Sequence, residues 1–63
     1  MTNKEYNELP KGEPKNINIG SRFRIKESVD SDRRPGSVVS YYEIIRITEH
    51  GFEFMEKMEK LTE

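Results

Sequence analysis

Cysteine and tryptophan are absent from this chain, and His50 is its single histidine. Without cysteine there is no disulfide and no thiolate metal site. One imidazole cannot make the histidine cluster of a zinc centre. No apolar run approaches the roughly 20 residues of a membrane-spanning helix. The first sixteen residues, MTNKEYNELPKGEPKN, lack the basic-then-apolar order of a secretory leader. These absences set the expectation of a cytoplasmic chain with no membrane segment, metal or cofactor. Groups for catalysis are equally scarce. Ser21, Ser28, Ser31, Ser37 and Ser40 have no histidine placed to serve them, and there is neither a P-loop nor a GxGxxG. A strong charge of one sign is missing too. The net charge is -1 although 37% of residues are charged, so composition marks neither a basic nucleic-acid binder nor an acidic mimic.

At 63 residues, one domain is the ceiling, and a chain this short buries little of its surface. Domains of this size lean on a disulfide, a metal or a partner subunit. A disulfide is already excluded, as are thiolate and histidine-cluster metal sites.

Residues 1–16 carry Pro10, Gly12 and Pro14 among polar side chains and read as a flexible arm. Tyr6 and Leu9, three apart, also allow one helical turn that docks on the body. INIGSRFRI, residues 17–25, alternates. Ile17, Ile19, Phe23 and Ile25 share one parity, and Arg22, Arg24 and Lys26 the other. A strand with one apolar and one basic face is expected over about 21–27, after a shorter one at 17–19. SVDSDRRPGS, residues 28–37, reads as a loop, with Pro35-Gly36 as the central pair of a type II turn. VVSYYEIIRIT, residues 38–48, is β-branched and aromatic and apolar on both parities, as for a central strand. Glu49-His50-Gly51 fits a three-residue hairpin with glycine in a bulge, returning Phe52 and Phe54 antiparallel to Ile45 and Ile47. The tail, FMEKMEKLTE, fits two patterns. A strand is expected through about Met55, extending to Lys57, before a short helical turn or a frayed end. Read as a helix, it places Phe54, Met55, Met58 and Leu61 on one face.

Charge is uneven along the chain. Residues 21–46 hold six basic and four acidic side chains, and residues 47–63 two basic and five acidic. A basic middle and an acidic end attract each other, within one molecule or between two.

IGSRFRI, a long polar loop, YYEIIRIT, EHG and FEF together resemble small SH3-like β-barrel proteins of bacteria and their viruses, over roughly residues 19–57. The resemblance implies a small, mostly β, antiparallel meander of three to five strands, SH3-like or a partial barrel. A single domain over 17–63 would follow a flexible arm over 1–16. It also implies binding to, and inhibition of, a host protein. A proline-rich peptide groove is not carried over, because the chain has no tryptophan and no ALYDY-like signature.

Arg22, Arg24 and Lys26 form a basic stripe on the expected strand, which Arg33, Arg34 and Arg46 extend, with Tyr41 and Tyr42 nearby in sequence. Arginines interleaved with aromatics hold phosphates and stack on bases. The same stripe fits a solvated sheet face whose arginines pair with Glu43 or Glu53. Arg33-Arg34 on a loop suits a carboxylate or phosphate, which guanidinium forks bind bidentately. His50 at the hairpin tip reads as a solvent residue, and Tyr41, Tyr42, Phe52 and Phe54 as packing. The resulting expectation is a non-enzymatic protein-binding module, a regulator or inhibitor of a host protein, with Arg22, Arg24, Arg33, Arg34 and Tyr42 as contacts. The alternatives are a small nucleic-acid-binding protein using its basic sheet face and a self-associating structural subunit, such as a homodimer.

Overall fold

A computed structural model describes residues 1–62. It is mostly β. One helical turn, α1 (Asn3–Glu8), precedes three strands, β1 (Arg22–Phe23), β2 (Val38–Thr48) and β3 (Gly51–Lys60). They form an open antiparallel meander in the order β1-β2-β3. The long strand and hairpin read from VVSYYEIIRIT and FEF are present, and β2 is the central strand.

The segment read as a flexible arm is laid against the sheet. Thr2 caps α1 through a reciprocal pair: Glu5 N–H donates to Thr2 Oγ1, and Thr2 N–H donates to Glu5 Oε1. The helix stops where Pro10 forces Leu9 into extended backbone, φ -64° and ψ 139°. Six residues cannot sustain a helix alone, so packing holds it. Tyr6 is buried with Val39, Tyr41 and Leu61, and Met1 and Leu9 pack around them. The Tyr6 hydroxyl donates to Ser40 O at 2.8 Å.

β1 is shorter than its alternating sequence suggests. Residues 17–19 form no strand; Ser21 N–H instead closes a turn on Asn18 O, with Gly20 at φ +94°. After Phe23 the chain changes partner. Arg24 N–H donates to Pro10 O, and Gly12 N–H donates to Arg24 O, so residue 24 pairs with the N-terminal segment rather than with β2. Of the expected apolar parity only Phe23 is buried, while Ile19 and Ile25 are exposed.

Pro35-Gly36 does form the expected turn. Gly36 has φ +92°, and Ser37 N–H donates to Arg34 O. The hairpin differs from expectation. Its loop is the two residues Glu49-His50, with Thr48 opposite Gly51 at φ +148°. The irregularity sits inside β2 instead, where Ile45 is skipped in the register. Ile47 therefore faces Phe52, but Phe54 faces Ile44 and not Ile45.

The tail corrects the expectation of a strand ending by Lys57 and a helical turn after it. β3 runs to Lys60, paired with β2 as far as Val38. Glu, Lys and Met favour helix in isolation, but ladder pairing with a strongly β partner overrides that preference. The strand periodicity then drives Leu61 under Tyr6, where it is 2% exposed.

The Leu61→Ala substitution is expected to cost about 2–4 kcal/mol, a large share of the roughly 3–9 kcal/mol usual for a chain of this size. Met58→Ala, three residues earlier but 70% exposed, is expected to cost less than about 0.5 kcal/mol. Urea unfolding followed by circular dichroism separates the two. Equal losses would mean that the tail is not docked as described.

Candidate protein-binding face

The two faces of the sheet differ. β2 and β3 side chains alternate, so Val39, Tyr41 and Glu43 share one side with Met55, Lys57, Glu59 and Leu61. This side carries α1. Val38, Ser40, Tyr42, Ile44 and Ile47 share the other with Phe52, Phe54, Glu56 and Met58, joined by Phe23 from β1.

Four of the five residues expected to make contacts are arginines, and the structure separates them. Arg24 is 1% exposed and belongs to the interior. Its Nη2 donates to Asn7 O at 2.8 Å and Leu9 O at 3.0 Å, and its Nε to Leu9 O at 3.2 Å. These are carbonyls at the end of α1, which a helix of this length leaves without internal partners. Arg24 caps them from just past β1, and its positive charge suits the negative end of the helix. The guanidinium also lies 5.3 Å from the Tyr6 ring centroid and 2.9 Å from Asp30 Oδ1. Arg24 therefore leaves the contact set, since a side chain enclosed by its own fold cannot meet a partner.

Arg33 is committed as well. It donates to Asn7 Oδ1 at 2.9 Å and Val29 O at 3.1 Å and lies 4.8 Å from the Tyr6 centroid. Asn3 and Asn7 return the tie by donating to Ser31 O. The long loop is thus buttoned to α1. Arg22 stands beside Glu43 at 3.7 Å and over Tyr41 at 5.4 Å, the cross-strand pairing that a solvated face provides. Arg46 pairs with Glu53 at 3.4 Å in the same way. Arg34 is exposed at the turn and makes no ion pair among the described residues. The basic stripe read from the sequence is not one surface.

Tyr42 has a different setting. Its ring lies 5.5 Å from Phe23 and 5.3 Å from Phe54, and Phe52 completes the group 5.9 Å from Phe54. Edge-on contacts such as Tyr42–Phe54, inclined at 81°, are favourable beyond their buried area. The cluster covers Ile44 completely but is itself open outward. Phe54 is 50% exposed, Ile47 48%, Val38 55% and Met58 70%. Singly exposed apolar residues are ordinary, but these lie together on one sheet face. The expected contacts left out Val38, Ile47 and Met58, which lie on this face. Alternation alone places Val38 with Tyr42 and, once β3 reaches Lys60, Met58 with Phe54, whereas Ile47 joins them only through the irregularity at Ile45. No cavity opens among the described residues, so the surface suits broad contact rather than enclosure of a small molecule. Comparison with known proteins returns no match, whether to a family model, a curated protein or a solved structure.

Two carboxylates are tuned by these ties. The hydrogen bond from Arg24 holds the Asp30 carboxyl below its ordinary 3.8, with Lys11 at 3.5 Å adding to it. The N-terminal ammonium, 3.1 Å from Glu59 Oε1, lowers Glu59 in the same sense, and Tyr41 Oη donates to Oε2. A carboxyl whose pKa falls on folding binds its proton more tightly in the unfolded chain. Its contribution is complete above the unfolded value, 3.8 for Asp30, and is lost as pH falls through the lower folded value. Asp30→Asn is therefore expected to lower the unfolding midpoint at pH 7 and to flatten the acid limb below about pH 4. Thermal melts across a pH series check this. Parallel acid limbs in the two proteins would show that the Arg24–Asp30 tie does not form.

Proposed function

We propose that this chain is a non-enzymatic protein-binding module, a regulator or inhibitor of a host protein, and that it engages its partner through the open sheet face. One observation carries the reading. A single sheet is closed by α1 on one side, while the other side leaves Phe54, Ile47, Val38 and Met58 exposed around the Tyr42–Phe23 cluster. Tyr42 supplies rigid area at the centre of the contact, the role aromatic side chains fill in interfaces. Glu56 and Lys60 share that face, so it presents no excess of either sign. An apolar, electrically balanced face matches a protein surface better than a phosphate backbone. Arg34 at the turn and Arg22 on the α1 side add steering more than affinity.

The test is capture of a partner from a host lysate, with nuclease and at raised salt, comparing the wild type with Phe54→Ser and Ile47→Ser. Both positions are about half exposed, so the fold is expected to survive, which circular dichroism verifies. A stoichiometric protein held by the wild type and lost with either variant supports the reading. Material that disappears with nuclease, falls log-linearly with salt and ignores both variants would overturn it in favour of nucleic-acid binding.

A further inference from the structure

β3 is an edge strand. Among the described residues its one neighbour is β2. The opposite edge of the sheet is partly occupied within the molecule, because β1 pairs with β2 over two residues and Arg24 then joins residues 10–12. Which peptide groups of β3 face away from β2 follows from its end. Leu61 N–H donates to Ser37 O on the β2 side, whereas Thr62 N–H donates to Met1 O on the outer side. Peptide groups alternate between the two sides of a strand, so Phe52, Phe54, Glu56 and Met58 turn theirs outward. A row of open donors and acceptors on a long edge is a template for another strand.

We propose that a second copy of this chain pairs antiparallel along β3, about a two-fold axis at Met55, to form a six-stranded sheet. The register follows by elimination among symmetric pairings, which oppose residues of like face. An axis at Glu53, Glu56 or Lys57 sets a charged residue on its own copy. The axis at Glu56 also opposes Glu53 to the partner's Glu59. An axis at Met58 pairs opposite charges but drives the partner's Met55 and Phe54 into the place beside Leu61 and Thr62 that Met1 and Thr2 occupy. An axis at Phe54 opposes no like charges but makes no ion pair. The axis at Met55 sets Met55 on the partner's Met55, Glu53 on the partner's Lys57 twice, and Phe52 on the partner's Met58 twice. No like charges are opposed, and the N-terminal segment is left in place. Glu53 and Lys57 already pair with Arg46 and Glu43 at 3.4 and 3.3 Å, so the new contacts extend an existing charge network. A two-fold axis normal to the sheet also puts both open aromatic faces on the same side, doubling the surface offered to a partner. The dimer does not rest on the protein-binding reading, since it concerns the chain alone.

The test uses the absence of native cysteine. Met55→Cys and Met58→Cys are each oxidised mildly and followed by non-reducing electrophoresis. Met58 is 70% exposed and Met55 46%, so random collision favours cross-linking at 58. The proposed axis brings position 55 against itself across a non-hydrogen-bonded pair, within disulfide reach, and predicts the reverse order. Sedimentation of the wild type is expected to show a concentration-dependent dimer. Glu53→Lys, which opposes two lysines on each side of the axis, is expected to weaken it roughly tenfold. Amide exchange gives a measurement without substitution: Phe54 and Glu56 N–H should slow as concentration rises. A wild type that stays monomeric throughout overturns the proposal. So does Met58→Cys cross-linking at least as fast as Met55→Cys, or exchange at Phe54 and Glu56 that ignores concentration.

Discussion

The guanidinium of Arg24 sits where two segments meet, and each is positioned by what it offers that group. The end of α1 gives the carbonyls of Asn7 and Leu9, the loop after β1 gives the carboxylate of Asp30, and the helix gives the face of Tyr6. A buried cation is costly unless its hydrogens are taken up. Here the carboxylate that balances it stays 55% exposed, so one partner keeps its water and the desolvation cost falls mainly on the arginine. Among the described residues Nη1 finds no partner, and the tie is therefore a compromise between enclosure and satisfaction. Withdrawing Arg24 would leave the α1 carbonyls uncapped and take from Tyr6 one of the two guanidinium groups at its ring, and Tyr6 is what docks α1 on the sheet.

That dependence explains why the two faces differ. A chain of this length has apolar area for about one enclosed layer. The layer is made on the α1 side, from Tyr6, Val39, Tyr41 and Leu61. The aromatic residues on the other side pack edge to face among themselves and shield Ile44, but nothing within the described residues lies over them. Arg33 adds to the asymmetry. By tying the 28–37 loop to α1 through Asn3 and Asn7, it keeps ten residues of loop on the closed side and away from the open one.

Much of this fold was legible in the sequence, for reasons that locate the misses. VVSYYEIIRIT announces a strand because β-branched and aromatic residues fill both parities. Pro35-Gly36 announces its turn because only glycine takes the positive φ at low cost. The fate of Arg24 was not legible. Its alternation with Arg22 and Lys26 describes a basic face, and only the arrival of the α1 carbonyls turns one member of that stripe inward. Ile19 and Ile25 fail for the same reason, since they share parity with Phe23 but the sheet ends before it can cover them. The tail was ambiguous because Glu, Lys and Met prefer helix locally, while its pairing with Val38–Tyr42 is a contact between distant residues. Of the candidate site, Tyr42 was found among the aromatics. Met58 was hidden by a strand drawn three residues too short, and Ile47 by the irregularity at Ile45 that moves it to the Tyr42 side.

The N-terminal segment links the closed face to the open edge. Met1 and Thr2 lie beside Thr62, and the ammonium of Met1 reaches Glu59 on the α1 side. The peptide group of Thr62, just past β3, is thereby engaged, and the edge from Phe52 to Met58 lies short of that contact. That part holds Glu53 and Lys57, placed evenly about Met55, whereas in the neighbouring register Glu56 meets its own copy and Glu53 meets the partner's Glu59. A strand edge usually resists association through charge of one sign or through proline. β3 has no proline and carries both signs in an order that opposes some registers and matches another. The strap at Thr62 removes the second matching register, so cover and charge together select one pairing where either alone would leave two or more.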